Sequence, residues 1–171
     1  MPFKPQTGLT LIELLVVLTI AGVLAAVAAP SFSSLINSMR QTSAMTQLTG
    51  DLNRARGEAI KRNQRVLLCV RDSDTACGAG TNWQNGWLVC YDENQDGACD
   101  ASTATNPNPI VVHPALHSTL TLTGNAAFVR FNPSGTQGTG AAATLALAGT
   151  WSGAITSTAS VAATGNISKT P

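Results

Sequence analysis

Gly8-Leu9-Thr10-Leu11-Ile12-Glu13-Leu14-Leu15-Val16-Val17 is a glycine followed by an apolar run that carries one carboxylate. The run extends to Ala29, so residues 9–29 form a block of 21 with Glu13 as its single charge. As a helix rising 1.5 Å per residue, the block is roughly 31 Å long, matching a bilayer core of about 30 Å. Residues 1–8 form a short polar leader with one positive charge, Lys4. One reading is a signal peptide cut after the small residues Ala26-Val27-Ala28. Three features oppose it. A carboxylate deep in a membrane costs about 2.5–3.5 kcal/mol, and a disposable segment has no reason to carry one. A cut after Gly8 would leave the apolar helix on the mature chain. The helical pattern also continues past Ala29.

Residues 8–17 resemble the prepilin N-terminal motif of type IV pilins and type II secretion pseudopilins. The resemblance implies cleavage between Gly8 and Leu9 by a prepilin peptidase and N-methylation of Leu9. Glu13 then falls where that family has its glutamate, and Pro30 where it often has a helix-bending proline. Leu9 departs from the usual phenylalanine at the new N-terminus. In lipid, Glu13 needs a partner, and the resemblance implies the N-terminal amine of a neighbouring subunit during filament assembly. The alternative is a carboxylate that is merely protonated or drawn toward the interface.

Composition fits this division. Charged residues make up 11% of 171, against about 25% in a typical soluble domain, while hydrophobic residues are at an ordinary 44%. The densest apolar block is the N-terminal one, so the hydrophobic content does not form one globular core. The length suits a single ordinary domain. A net charge of +1 excludes a strongly basic nucleic-acid coat or an acidic tail protein. Removing residues 1–8 takes away Lys4 and leaves nine basic and nine acidic side chains.

Beyond Pro30, apolar residues recur at Phe32, Leu35, Ile36 and Met39, then at Met45, Leu48, Leu52, Ala55 and Ala59. The second set steps by three and four, the mark of an amphipathic helix with one buried stripe. Gly50 and Gly57 weaken its propensity without breaking the pattern. We expect residues 39–62 to pack on their own globular domain and residues 9–36 to pack laterally in a filament. Residues 52–63, Leu-Asn-Arg-Ala-Arg-Gly-Glu-Ala-Ile-Lys-Arg-Asn, resemble a stretch of the GspH/FimT family of minor pilins and pseudopilins. In that family the segment leads into a strand with a cysteine, here Cys69. A Trp-x-x-Gly-Trp segment, here Trp83 to Trp87, and an acidic turn follow. The resemblance covers residues 8 to about 100 and loosens beyond.

The remainder reads as short strands punctuated by Gly, Pro, Asn and Ser. Candidates are residues 65–70, 86–91, 110–113, 119–123, 127–131, 144–148 and 154–157. The expected fold class is α+β, a long N-terminal helix packed on an antiparallel sheet domain. Its divisions are a leader (1–8), a transmembrane and filament helix (9–29), an amphipathic helix (30–63) and a β-rich periplasmic domain (64–171). Ser, Thr, Ala and Gly dominate residues 134–171, so strand register there is weakly specified.

Cysteines stand at positions 69, 77, 90 and 99. An exported domain meets an oxidising compartment in which disulfides persist. Of three connectivities we favour Cys69–Cys77 and Cys90–Cys99, which tie each strand end to its following loop. Each closure of a short loop contributes about 2.5 kcal/mol on the chain-entropy model. Zinc is the rival, but spacings of 8, 13 and 9 lack the tight pairs of known zinc motifs. Residues 92–97, Asp-Glu-Asn-Gln-Asp-Gly, match the first half of a calcium loop. Thr103 stands where its closing glutamate belongs, which leaves Asp92, Asn94, Asp96 and Asp100 as a shortened set against the plainer reading of a solvated turn.

Other constellations are weak. Pro114 disfavours the helix that would align His113 with His117. Gly135, Gly138 and Gly140 are in the wrong order for a dinucleotide fingerprint and have no P-loop lysine. No nucleophile, base and acid set is suggested, so we expect no enzyme and no resident cofactor. Charge is split: residues 40–71 carry net +5 and residues 72–100 net −6. The plain meaning is a solvated helix face beside an acidic turn. The sharper one is docking between subunits, or phosphate held by Arg54, Arg56, Lys61, Arg62 and Arg65. Some members of the resembled family take up DNA through a Gly-Arg-x-Arg motif near the C-terminus. The matching stretch here, residues 165–169, lacks both arginines and offers only Lys169, which argues against DNA.

The resemblance thus implies a single-pass inner-membrane protein with a periplasmic globular domain. Its implied partners are other pilins or pseudopilins, the prepilin peptidase, the inner-membrane assembly platform and the membrane itself. The expected function is structural, in the tip or initiation complex of a type IV pilus or type II secretion pseudopilus. A displayed binding module for adhesion or DNA uptake is the alternative.

Overall fold

The computed structural model describes residue 8 and residues 10–171, with the side chains of residues 27–31 excepted. It divides into two compact units, Met1–Ile36 and Asn37–Pro171. Helix α1, Leu11–Arg62, contributes to both.

In the first unit, ten large apolar side chains between Leu11 and Leu24 are exposed, as are Phe32, Leu35 and Ile36. Such a surface requires a partner other than water. Among the described residues no helix is long and apolar enough to cross a membrane. The apolar stretch with described side chains, residues 11–26, would span about 24 Å. The run continues through residues 27–29, whose side chains lie outside the described residues. Leu9 and the Pro30 ring, the expected cleavage partner and helix bend, lie outside them too.

The second unit is built on the α1 stripe. Met45, Leu48, Leu52, Ala55 and Ala59 are all buried, as the spacing predicts, with Ala44 beside them, while Met39 faces solvent. Gly50 and Gly57 sit on open ground, where an added Cβ would meet nothing within 4 Å. The helix closes on Asn63, whose φ of 54° is left-handed, and Gln64 N–H returns to the Ala59 carbonyl at 3.2 Å. Asparagine tolerates this conformation better than other residues with side chains.

Two antiparallel sheets pack with this helix. The strands are β1 (Val66–Val70), β2 (Trp87–Tyr91), β3 (Val111–His113), β4 (Leu120–Gly124), β5 (Phe128–Phe131), β6 (Ala143–Gly149), β7 (Ser157–Val161) and β8 (Ile167–Thr170). The first sheet has the order β3-β2-β1-β5 and the second β4-β6-β7-β8. β1 and β2 are buried on both faces. Val66, Leu68, Val70, Trp87, Val89 and Tyr91 join the main core with the helix stripe. The alternate residues Leu67, Cys69, Leu88 and Cys90 form a second cluster with Cys77, Cys99 and Phe128. The period of two thus sorts apolar side chains onto one face and a cysteine cluster onto the other.

The C-terminal third departs from expectation. A strand was expected at residues 154–157, but Ala154 belongs to a turn, its N–H bonded to the Trp151 carbonyl at 3.2 Å. The strand is Ser157–Val161, and β8 follows it. Register is well defined, with Val161 opposite Ile167 and Ala159 opposite Lys169. Small side chains suffice because Ala143, Ala159 and Val161 reach the main core.

The Trp-x-x-Gly-Trp segment has a structural explanation. Trp83 opens a short 3-10 turn, Trp83–Asn85, and its indole N–H donates to the Ala126 carbonyl at 3.1 Å. Gly86 follows at φ 95°, where a Cβ would lie 2.1 Å from the His113 carbonyl oxygen. Trp87 then enters β2, donates to Asp51 Oδ2 at 2.8 Å and stacks on His113 at 3.8 Å. A second close approach joins two turns. At Gly165, φ 80°, a Cβ would lie 1.8 Å from the Gly135 carbonyl oxygen. Gly165→Ala is expected to cost about 2–3 kcal/mol from left-handed strain plus displacement of that carbonyl, read as a lower urea midpoint with unchanged slope.

Candidate functional site

The start of α1 carries a reciprocal cap. Thr10 donates to Glu13 Oε2 from its backbone N–H at 2.8 Å and from its hydroxyl at 2.9 Å. Glu13 N–H returns to Thr10 Oγ1 at 3.3 Å. This is a capping box, in which side chains satisfy backbone donors that a helix start leaves open. It also places a carboxylate at the positive end of the helix. Gly8, the residue before the expected cut, is exposed, and a Cβ there would meet nothing within 4 Å.

At the other end of the helix, the basic residues grouped by the sequence have separate tasks. Arg56 Nε donates to the Gly135 carbonyl at 2.9 Å and so pins the glycine turn. Arg62 pairs with Glu58 at 3.1 Å, donates to the Thr105 carbonyl at 3.1 Å and lies 5.7 Å from the centre of the Tyr91 ring. Burial pushes the Tyr91 phenol up; Arg62 opposes this and Glu58 adds to it. Arg65 meets Glu93 at 3.1 Å, which joins the basic segment to the acidic one. Arg71 approaches Asp74 at 3.7 Å. Arg54 and Lys61 are exposed. Lys169 is exposed on β8, in the other sheet. Arg56 and Arg62 of residues 52–63 therefore seat loops on the helix, and Glu58 holds Arg62 in place.

The acidic turn also divides. Asp92 is fully buried and its Oδ2 accepts from Arg130 Nε at 2.8 Å and Nη2 at 2.6 Å. Asn94 and Asp96 are exposed and close their own turn. Asp96 N–H donates to Asn94 Oδ1 at 3.1 Å, and Ala98 N–H to Asp96 Oδ1 at 2.8 Å. Asp100 Oδ2 accepts from the Glu93 N–H at 2.8 Å. Gln95 at φ 65° and Gly97 at φ 84° supply the left-handed corners. A polar turn closed by Asn, Asp and Gly accounts for these contacts.

The disulfides join Cys69 to Cys77 and Cys90 to Cys99, the favoured pairing. Linear spacing, which favoured disulfides over zinc, does not reveal how closely the two bridges lie. All four Sγ atoms lie within 4.8 Å of one another, and Cys77 and Cys99 approach across the two bridges to 3.6 Å. Pairing of β1 with β2 supplies a proximity that linear spacing hides.

His113 ends β3, and its ring engages Gln47 Oε1 through Nε2. His117 Nδ1 meets Thr119 Oγ1 at 2.9 Å. Three polar residues escaped sequence reasoning. Asp51 anchors Trp87, Arg130 pairs with Asp92, and buried Gln41 donates to the carbonyls of Leu147 at 3.1 Å and Ile155 at 2.6 Å. Gln41 was detectable in principle, since it sits four residues before Met45 on the buried stripe.

The family description "Type II transport protein GspH" matches residues 44–165, and "Prokaryotic N-terminal methylation motif" matches residues 3–29. The pilin-like protein PilA1 of Thermus thermophilus is 40% identical over 95 residues, 56% of this chain and 54% of that protein. The chain thus spans about half the length of that curated relative. Crystal structures of the type IV minor pilin FimU of Pseudomonas aeruginosa share the fold. One has a TM-score of 0.60 at 20% identity, covering 76% of this chain and 87% of that one. A second crystal form gives 0.56 at 18% identity, with coverage of 76% and 92%. With the matched segment spanning the stripe, strands β1 to β7 and the cysteine cluster, the chain belongs to the GspH family of type II transport proteins and carries the prokaryotic N-terminal methylation motif.

Proposed function

We propose that the chain is a minor pilin or pseudopilin, cut between Gly8 and Leu9, N-methylated on Leu9, and assembled through residues 9–36 into a type IV pilus or a type II secretion pseudopilus. The observation that carries this reading is the division of labour between the units. The second has a core of its own, while the first, among its described residues, presents apolar side chains on exposed positions from Leu11 to Leu24 and at Phe32, Leu35 and Ile36. Before assembly those side chains are covered by the inner membrane, with Asn37–Pro171 in the periplasm. After assembly they are covered by neighbouring subunits. Prepilin peptidase and the inner-membrane assembly platform are the partners this life cycle requires. Glu13, already held by Thr10, accepts the new N-terminal amine of a neighbour and sets the axial position of the incoming subunit.

Mass spectrometry of the chain from its native membrane tests the processing step. The expected product lacks residues 1–8 and begins at methylated Leu9. A product beginning at Ala29 overturns the reading. Loss of pili, or of protein secretion, on deletion of the gene tells the two filament types apart.

A further inference from the structure

The cysteine cluster has a second chemistry. We propose that the reduced chain binds one soft divalent metal ion of the zinc class through Cys69, Cys77, Cys90 and Cys99. Four thiolates around such an ion sit at metal–sulfur distances of about 2.3 Å, so tetrahedral sulfurs are about 3.8 Å apart. Cys77 and Cys99 already stand 3.6 Å apart, and no sulfur pair exceeds 4.8 Å. The two bonded pairs, at 2.03 and 2.10 Å, must open and the widest pairs must close. Shifts of about 1 Å per sulfur bring the set to the tetrahedral spacing. Strand pairing and one backbone bridge fix three of the four positions apart from the sulfur bonds. Cys69 lies in β1 opposite Leu88 and Cys90 in β2 opposite Leu67, so the two are diagonal neighbours on one face, and the Cys77 segment bridges to Arg71.

The donor set and its surroundings select the ion. Four sulfurs without an oxygen ligand favour soft ions over calcium or magnesium. Cys69 and Cys90 are buried, and Leu67, Leu88 and Phe128 pack around the cluster, which limits water at the metal.

The chemistry balances as follows. A dithiol or phosphine reductant delivers four electrons, and with four protons the two disulfides become four thiols. The metal displaces those four protons and leaves a site of net charge −2. A disulfide-class oxidant takes the four electrons back, re-forms both bridges and expels the ion. The metal and the disulfides are therefore alternative cross-links of the same segments.

The test uses the full chain in detergent micelles, reduced with a water-soluble phosphine and titrated anaerobically with cobalt. We expect saturation at one cobalt per chain with the intense visible bands of a tetrahedral thiolate site, displacement by zinc, and loss of the bands on reoxidation. In the double variant Cys69→Ser, Cys77→Ser, affinity is expected to fall by at least about tenfold and the bands to vanish. Where reduction melts the β-rich unit, added metal restores a cooperative thermal transition in the wild-type chain and not in the double variant. A reduced chain that takes up no cobalt, or takes it up equally in the double variant, overturns the proposal.

Discussion

Replacing Glu13 with valine is expected to abolish incorporation of the chain into filaments, reducing it at least about tenfold, while leaving the fold of Asn37–Pro171 intact. Two effects of the substitution need separating. The first is local: Thr10 loses the carboxylate that accepts from its N–H and hydroxyl. Loss of a helix cap costs about 1 kcal/mol, too little to stop assembly outright. The second is the loss of a charge that an incoming amine can meet in a medium of low dielectric. Leaving that amine unpaired costs several times more than the cap. Glu13→Gln distinguishes them, because the amide oxygen can still cap the helix but carries no charge. Thr10→Val removes the hydroxyl and keeps the carboxylate. The charge reading expects Glu13→Gln to fail like Glu13→Val and Thr10→Val to assemble with modest loss. Immunoblots of sheared filaments against membrane fractions measure all three, and normal incorporation of Glu13→Gln sinks the pairing.

This experiment rests on the part of the chain most legible in its sequence. A glycine, an apolar run and one misplaced carboxylate are local signals, and they survive being read one residue at a time. The α1 stripe was equally plain, since Met45, Leu48, Leu52, Ala55 and Ala59 report burial through periodicity alone. The two bridges followed from compartment and loop length. Legibility ended where side chains became small or partners became distant. The Ser157–Val161 strand alternates buried and partly buried positions, but with Ser, Thr and Ala the contrast in hydropathy is slight. β8 holds one large apolar residue, Ile167. Its place is set by pairing with β7 and not by its own pattern. The acidic turn hid a different partner. Asp92, first in the match to a calcium loop, pairs with Arg130, which lies 38 positions away. Similarly, spacing along the chain concealed four sulfurs that strand pairing gathers.

The Asp92–Arg130 pair provides the largest expected effect on stability. Asp92 is 0% exposed and Arg130 7%, so both charges have left water and depend on each other. Arg130 reaches Asp92 Oδ2 through two nitrogens, while Asp92 Oδ1 has no hydrogen-bond partner among the described residues. The carboxylate is therefore only half satisfied even in the intact pair. Arg130→Met keeps much of the stem that packs near Phe128 but strands the buried charge, and is expected to cost about 3–5 kcal/mol. Asp92→Leu alone strands the guanidinium instead, which sits on a longer stem and is slightly more exposed, so its cost is expected to be smaller. The double variant Asp92→Leu, Arg130→Met removes both charges. Because desolvation of two ions consumes most of what their attraction returns, the double variant is expected within about 1–2 kcal/mol of wild type. Urea titration of the four chains closes the cycle, with a coupling energy well above the ~0.5 kcal/mol expected of independent sites. Additive losses would mean that the pair contributes through packing, and that the two charges do not hold each other in place.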